Sequence, residues 1–258
     1  MVFVDNDAHG PVDILAIGPH PDDVEIGAAA TLAKACASGK RVVICDLTAG
    51  EMGTNGDPGL RAAEAAEAAR RLGVEMRLCL GLPDTALGLD GGHAAMVAAV
   101  VRRLRPGLLL APWGEGDRHP DHRACLELTR RAVFLAGLAR FDPPPVPSLG
   151  GAAESRPYRA PRLFYYLINS PARPDVLVDV SGHYEAKRRA LGAFVSQFGP
   201  AAAGARTAET ALNDGVYLPG VEGRDAAFGR HAGVSFAEGF VAERYPCLES
   251  LLDVISCR

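Results

Sequence analysis

The strongest constraint on the fold is a repeated alternation between short apolar runs and segments of helical periodicity. The run "VDILAIG" (12–18) is apolar and ends in glycine, and in the segment that follows (24–38) small and apolar residues recur at helical spacing. The same pair of patterns recurs three times, with strands predicted at 40–48, 76–82 and 107–112, and helices at 60–73, 93–105 and 121–140. Asp57 and Pro58 are placed as N-cap and first residue of the second helix. The alternation predicts an α/β protein with a Rossmann-like, mostly parallel sheet and helices on both faces.

The segment 141–161, "FDPPPVPSLGGAAESRPYRAP", contains too many prolines and glycines for a regular element. It is either a domain linker or a long loop, and a long loop inside a compact domain is usually functional. We therefore predict a single domain over 1–258 with a Pro-rich active-site loop near 141–161. After it, strands are predicted at 162–169 and 176–181, a helix at 183–198, and a helical and then loop-like stretch over 201–241.

Composition excludes several classes of protein. Apolar residues make up 48% and charged residues 22% of the chain, which is typical of a globular protein. The net charge is -4 and no basic run occurs, so a nucleic-acid partner is not expected. No apolar run is long enough for a membrane span, and the first residues lack the features of a signal peptide. The 6 cysteines are scattered without a CxxC pair, which favours reduced thiols in a cytoplasmic protein.

The tripeptide His-Pro-Asp occurs twice, in "HPDD" (20–23) and "HPDH" (119–122). Random order at this composition would give about 0.03 copies, so two copies indicate a function. One copy follows the first predicted strand and the other follows the fourth. In the common strand order 3-2-1-4-5 these strands are neighbours, and ligands bind where their following loops diverge. We therefore expect both motifs at one active site, at the carboxyl ends of strands 1 and 4.

The two motifs supply side chains suited to a metal site. Two imidazoles and one carboxylate form a common catalytic zinc set with an open coordination position. The candidates are His20, Asp22, Asp23, His119, Asp121 and His122. Three ligands are enough, so the remaining groups are available for acid and base catalysis, and the pattern predicts metal-assisted hydrolysis of a small polar substrate. Imidazole favours zinc over magnesium, although Fe²⁺ or Co²⁺ accept the same ligands.

Dinucleotide binding is the alternative that the fold alone offers, with Asp46 as the acidic residue at the end of the second strand. The loop after the first strand lacks GxGxxG, however, and Asp22, Asp23 and Glu25 would repel a pyrophosphate. A second alternative is a carbohydrate-binding module that keeps a metal only for structure. Zinc bound without an open position would distinguish that module from a hydrolase.

Six segments in order resemble the LmbE/PIG-L family of zinc-dependent N-acetylglucosamine deacetylases. They are "AIGPHPDDVEIG", "DLTAGEMGTNG", "LGLPDTAL", "DRHPDH", "FYYLIN" and "FAEGF", and the resemblance extends from about residue 12 to about residue 240. Together they are most similar to the bacillithiol-biosynthesis branch, which deacetylates N-acetylglucosaminyl malate. Alternative substrates are a mycothiol-type precursor, a chitooligosaccharide or a bacillithiol S-conjugate. The resemblance also implies a homo-oligomer, with a hexamer as the assembly of relatives.

The resemblance implies a metal site made by His20, Asp23 and His122. It implies that Asp22, the carboxylate next to a ligand, is the general base. The ordinary alternatives are a turn role for Asp23 and an N-cap role for Asp22, since aspartate is common at helix N-caps.

Three further roles follow from the same resemblance. His119 would stabilise the oxyanion or protonate the leaving amine, with Asp121 orienting it, and Arg61 would bind substrate. The alternatives are a structural histidine, a cap at Asp121, and an ion pair between Arg61 and Glu64 on a solvated helix face.

Overall fold

The computed structural model describes residues 10–88, 90–150, 154, 156–199, 208–250 and 254. Seven strands in these ranges form one sheet. The strands are β1 (Ile14–Gly18), β2 (Val42–Asp46), β3 (Met76–Cys79), β4 (Leu108–Pro112), β5 (Leu163–Tyr166), β6 (Val176–Asp179) and β7 (Ala237–Ala242). The α-helices are α1 (Asp23–Ala37), α2 (Pro58–Leu72), α3 (Gly91–Leu104), α4 (Pro120–Ala136), α5 (Tyr184–Leu191), α6 (Val195–Phe198) and α7 (Tyr217–Ala232).

The strand order is β3-β2-β1-β4-β5-β7-β6. Strands β1 to β5 are parallel, and the predicted order of these five strands is confirmed. Strand β7 lies antiparallel between β5 and β6, in a stretch predicted to be a loop. That prediction is wrong because "AEGFVA" contains glycine and glutamate, which are uncommon in strands, and the glutamate is buried by partners from distant helices.

Successive residues of the central strands pack against opposite faces of the sheet, as the pleat requires. Leu15 and Ile17 belong to the cluster that includes α3 and α4, whereas Ile14 and Ala16 pack with α1 and α2. The sheet is therefore covered by helices on both faces. The expected start of α2 is also confirmed, since the Asp57 carboxylate accepts from Leu60 N at 2.9 Å.

The described part of segment 141–161 contacts residues that precede β4 in the chain. Tyr158 donates its hydroxyl to Pro106 O at 2.7 Å, and Arg102 donates to Phe141 O at 2.9 Å. Pro106 precedes β4, so these contacts hold the segment at the amino end of the sheet. These contacts concern Phe141 and Tyr158 only, and the active-site role of the loop stays a prediction.

The helix predicted over 183–198 is divided into α5 and α6, because Phe194 leaves helical geometry and is fully buried in the core. The 5 cysteines among the described residues are all free. Within the same residues, no helix is both long and apolar enough to cross a membrane.

A buried cluster of charged side chains joins α5, α7 and β7 to α1. Lys187 is fully buried and donates to Asp225 Oδ2 at 2.7 Å, to Glu238 Oε1 at 2.8 Å and to Ile26 O at 2.8 Å. The Glu238 carboxylate also accepts the amides of Ala30 and Thr31 in α1, at 3.1 and 2.7 Å. Each charge is paired, which is what makes such burial tolerable.

Replacing Lys187 by methionine is expected to lower the free energy of unfolding by about 3–5 kcal/mol, because Asp225 and Glu238 would keep buried charges without their shared cation. Urea denaturation measures this effect. Arg188→Met is the matched control, since the neighbouring Arg188 makes exposed ion pairs with Glu185 and Glu222 that should contribute at most about 1 kcal/mol. Equal losses in the two variants would contradict the prediction.

Candidate metal centre and active site

The "HPDD" turn that links β1 to α1 is held through its backbone carbonyls. Tyr166 donates its hydroxyl to Ile17 O at 2.8 Å, and Thr48 donates both its amide and its hydroxyl to Pro19 O at 3.0 Å. Arg61 donates to Pro21 O at 2.5 Å. These donors come from β5, the end of β2 and α2, so the turn is fixed from three sides.

Asp22 occupies a strained position in this turn. Its φ of 110° lies in the left-handed region, which costs a non-glycine residue about 1–3 kcal/mol. Although Asp22 is at the N-cap of α1, its side chain makes no capping hydrogen bond. The carboxylate is instead paired with Arg61, with 3.1 Å between Nη2 and Oδ2. The capping alternative for Asp22 therefore does not describe its side chain.

Asp23 lies between the two imidazoles predicted to share a metal with it. Its Oδ2 is 2.9 Å from His20 Nδ1, and its Oδ1 is 3.3 Å from His122 Nε2. All three side chains are buried. The structure thus brings the three predicted ligands together from loops about a hundred residues apart.

The far nitrogen of each imidazole is held by a carboxylate. His122 Nδ1 is 2.8 Å from Asp117 Oδ2, and His20 Nε2 is 3.1 Å from Asp84 Oδ1 and 3.3 Å from Asp121 Oδ2. Metal-binding histidines commonly donate their second N–H to a carboxylate, which fixes ring orientation and raises ligand basicity. The arrangement leaves His20 Nδ1 and His122 Nε2 directed at Asp23.

The donor set fits a zinc-type cation. Two imidazoles and one carboxylate match a catalytic set, and bonds of about 2.0–2.1 Å to a tetrahedral ion would separate its ligands by about 3.3 Å, close to the contacts at Asp23. Among the described residues, the groups whose donor atoms all lie within 4.8 Å of one another are His20 with His119 and His122, and His20 with Asp84 and Asp121; the predicted set of His20, Asp23 and His122 is not one of them. The residues present therefore suit a divalent transition metal.

The titration behaviour follows from this crowding of charges. Burial disfavours the charged form of His20, but hydrogen bonds to Asp121, Asp23 and Asp84 outweigh it and raise the pKa well above its ordinary value. Burial likewise opposes the charge on His122, yet Asp23 and Asp117 raise its pKa to about 10. A metal ion would compete with protons for the same lone pairs of the imidazole nitrogens.

Asp22 has a different environment from Asp23. Burial raises the pKa of Asp22 to about 7, although the positive charge of Arg61 acts in the opposite direction. The pKa of Asp23 is well below its ordinary value, because the charge and hydrogen bond of His122 outweigh desolvation. Adjacent carboxylates are thus separated into one that stays ionised and one able to exchange a proton near neutrality.

His119 lies beside both predicted imidazole ligands. Its ring centroid is 4.6 Å from that of His20 and 4.8 Å from that of His122. The backbone amide of Asp121 donates to His119 Nδ1 at 3.2 Å, so the neutral ring carries its proton on Nε2. Burial and the charges of His20 and His122 lower the pKa of His119. His119 is therefore a neutral hydrogen-bond donor through Nε2–H.

The carboxylate of Asp121 does not contact His119. The carboxylate contacts Nε2 of His20 instead. It also accepts hydrogen bonds from the backbone amides of Thr85 at 2.7 Å and Leu87 at 3.3 Å. Only the backbone of Asp121 orients His119.

Arg61 and Asp46 both have partners inside the protein. The Arg61 side chain is buried and bonded to the "HPDD" turn, while Glu64 accepts from Ser196, so the surface ion pair between Arg61 and Glu64 is absent. Asp46 receives two hydrogen bonds from Arg77, at 2.7 and 2.9 Å. Its carboxylate is therefore engaged and not free to bind a ribose.

Sequence reasoning did not single out Asp117 or Asp84. Both lie in segments that carried the family resemblance, "DRHPDH" and "LGLPDTAL". The presence of a carboxylate in each of these segments was the available signal. Which imidazole each carboxylate contacts becomes evident only in the folded chain.

Tyr217 is also near the site, and no sequence pattern pointed to it. Its hydroxyl donates to Asn169 Oδ1 at 3.0 Å, and the backbone N–H of Asn169 donates to Asp117 Oδ2 at 3.2 Å. Burial raises the pKa of Tyr217, and the charges of Asp23 and Asp22 raise it further. The phenol is therefore linked through Asn169 to Asp117, the partner of His122.

Comparison with known proteins identifies the family. Residues 15–133, which include both His-Pro-Asp motifs, match the family model PIG-L, GlcNAc-PI de-N-acetylase. The diacetylchitobiose deacetylase of Thermococcus kodakarensis is 34% identical over 203 residues, covering 72% of this chain and 70% of that protein. The chain belongs to the PIG-L family. The conserved protein TT1542 of Thermus thermophilus has the same fold, with a TM-score of 0.79, 37% identity, and 92% and 97% of the two chains covered.

PIG-L membership confirms the family predicted from the six segments, but not the branch. The probable N-acetyl-alpha-D-glucosaminyl L-malate deacetylase 2 of Bacillus subtilis is 31% identical over 133 residues, covering 47% of this chain and 60% of that protein. PIG-L relatives with different names thus resemble this chain to a similar degree. The bacillithiol branch is not distinguished from the others.

Proposed function

We propose that this PIG-L protein hydrolyses the acetamide of an N-acetylglucosamine conjugate with the help of a divalent metal, releasing acetate and a free amine. The observation that carries the proposal is that His119 lies with its ring centroid 4.6 Å from His20 and 4.8 Å from His122, while Asp22 is the neighbour of Asp23 in the "HPDD" turn. A base and a neutral hydrogen-bond donor beside a metal-type donor set are the components that amide hydrolysis requires.

Asp22 is assigned as the general base. Its burial keeps the pKa near neutrality, where a carboxylate both accepts and returns a proton effectively. The pair with Arg61 and the strained backbone hold the carboxylate in one place. Asp22 would take a proton from the attacking water and pass it to the departing amine.

His20, Asp23 and His122 would hold the metal. When bound, such an ion polarises the acetamide carbonyl and makes water more acidic. Zinc is our first choice, with Fe²⁺ or Co²⁺ as substitutes. Elemental analysis of purified protein and reactivation of chelator-treated protein with each ion would test the choice.

His119 is assigned to the oxyanion. Its Nε2–H would donate to the carbonyl oxygen as negative charge develops there, and the Asp121 amide keeps the ring in the correct tautomer. Because the neutral ring already has a proton on Nε2, His119 can donate this hydrogen bond without first taking up a proton from solvent.

His119→Ala is expected to lower kcat by about 10²–10³-fold, the usual effect of losing one oxyanion donor. Acetate release at saturating substrate measures it. His231→Ala, in the exposed last turn of α7, is the control and should keep full activity. An unchanged kcat in His119→Ala would remove the oxyanion assignment.

For the substrate, we propose N-acetylglucosaminyl malate, as the six resembling segments suggest. The test is acetate release from three compounds with the same amide: the malate conjugate, diacetylchitobiose and an inositol conjugate of the mycothiol type. A kcat/KM highest for the malate conjugate supports the proposal, and a higher value for either other compound replaces it. Acetate release from none of them would contradict the deacetylase function itself.

We also propose that the protein works as a homo-oligomer, on the basis of the resemblance. Sedimentation equilibrium across a range of protein concentrations would test it, with a hexamer as the expected species. A monomer at all concentrations would contradict it.

A further inference from the structure

The segment after β3 contains a strained residue that the mechanism above does not use. Thr85 has a φ of 66°, a left-handed conformation that is rare for a β-branched residue. Such strain costs about 1–3 kcal/mol and persists only where surrounding contacts hold it. The contacts here are made by its own amide, which donates to Asp121 at 2.7 Å, and by the preceding residue, Asp84.

Asp84 is buried and bridges two parts of the site. Its Oδ1 is 3.1 Å from His20 Nε2, and its Oδ2 accepts the backbone amide of Met52 at 3.0 Å. Its own amide donates to Glu51 Oε1 at 2.8 Å. One carboxylate thus contacts a predicted metal ligand with one oxygen and the glycine-rich loop 50–56 with the other.

The other contacts of loop 50–56 involve groups that make no hydrogen bond to His20, Asp23 or His122, including Arg61, which donates to Gly50 O at 3.3 Å and to Pro21 O of the "HPDD" turn at 2.5 Å. Asn55 exchanges two hydrogen bonds of 2.8 Å with the backbone of Ala208, and Gln197 donates to Asn55 O at 2.7 Å. Among the described residues, Asp84 is therefore the direct side-chain connection between this loop and His20.

Asp121 does not replace Asp84 in this role. It approaches the same His20 nitrogen at 3.3 Å, but its remaining contacts are the amides of Thr85 and Leu87 in the segment after β3. Asp121 therefore holds the segment in place, while Asp84 extends from it to the loop.

We propose that Asp84 is a positioning residue that couples His20 to loop 50–56, so that metal binding orders the loop and an ordered loop strengthens metal binding. The inference rests on the proposed function, because it takes His20 as a metal ligand. Coupling of this kind is reciprocal: whatever free energy the loop contributes to metal binding, the metal contributes to loop order.

The test compares Asp84→Asn with wild type by cobalt titration and by hydrogen exchange of the amides in loop 50–56. Losing a carboxylate that supports a metal-binding histidine should weaken Co²⁺ binding by about 10–100-fold. The visible spectrum at saturating Co²⁺ should keep its shape, because the ligands are unchanged. Cobalt should slow exchange in the wild-type loop and have much less effect in the variant.

Asp90→Asn is the matched control. Asp90 lies six residues further along the chain and accepts the amide of Gly92 at 2.7 Å, but it has no contact with the metal ligands. Cobalt affinity and loop exchange in this variant should equal those of wild type.

Glu51→Ala provides a second route if Asp84→Asn does not fold. It removes the acceptor of the Asp84 amide without touching His20, and it should weaken Co²⁺ binding in the same direction by a smaller factor. Wild-type affinity and loop exchange in the folded Asp84→Asn protein, or in Glu51→Ala if that protein alone folds, would overturn the coupling. A changed spectrum or a lost equivalent of metal at saturation would show that Asp84 is a ligand, which also overturns it.

Wild-type protein separates this inference from the proposed function. Acetate release by wild type together with unaltered cobalt binding and loop exchange in Asp84→Asn would remove only the coupling. Failure of wild type to bind Co²⁺ would remove both.

Discussion

Replacing Asp22 by asparagine is expected to reduce kcat by about 10²–10⁴-fold, the range that a positioned general base contributes. Asparagine has nearly the same shape and tolerates the left-handed backbone at this position, so the turn should persist. Its amide cannot accept the proton of the attacking water. The measurement is acetate release at saturating substrate, with metal content determined on the same samples.

Metal content separates this effect from damage to the metal site. Asp22→Asn should retain wild-type metal, because the ligand contacts of Asp23 with His20 and His122 do not involve Asp22. Arg61→Met is an informative companion, since it removes the partner of the Asp22 carboxylate and should lower kcat more than it raises KM. Full activity in Asp22→Asn would disprove the base assignment.

Replacing His122 by alanine is expected to abolish stable metal binding and to reduce activity to background. His122 supplies one of two imidazoles in a three-ligand group, and its removal leaves Asp117 and Asp23 without their shared partner. Metal affinity should fall further than the loss of about 10–100-fold that follows removal of a supporting carboxylate. Competition with a chromophoric chelator measures the affinity.

Asp117→Asn gives the graded comparison for this prediction. It keeps His122 but weakens the contact at Nδ1, so the metal affinity should fall by about 10–100-fold. The activity of this variant should recover when excess metal is supplied. His122→Ala should not recover. Equal metal affinity in His122→Ala and wild type would show that the cation lies elsewhere, for example at the group formed by His20, Asp84 and Asp121.

Local patterns predicted most of the sheet. Apolar runs of strand length that alternate with helical periodicity identified β1 to β6, and Asp57 with Pro58 located the start of α2. Strand β7 was not predictable in this way. Its Glu238 is buried only because Lys187 and the amides of α1 approach it from elements far away in sequence.

Segment 141–161 shows the same limit for a loop. Its proline content correctly excluded a long helix or strand, but composition contains no information on which end of the sheet a loop contacts. Only the hydrogen bonds of Tyr158 to Pro106 and of Arg102 to Phe141 show that these two loop residues lie near the amino end of β4.

The sequence by itself determined the fold class, the pairing of two His-Pro-Asp motifs at neighbouring strands, and the residue types of the candidate metal site. Those features depend on short-range periodicity and on strand order, which follows general rules for parallel sheets. Only the tertiary structure decided which partner each polar side chain has: Asp121 contacts His20, Arg61 pairs with Asp22, and Asp84 joins a ligand to a loop. Such choices depend on side-chain directions and distances of a few ångströms between distant segments, and no local pattern in the chain encodes them.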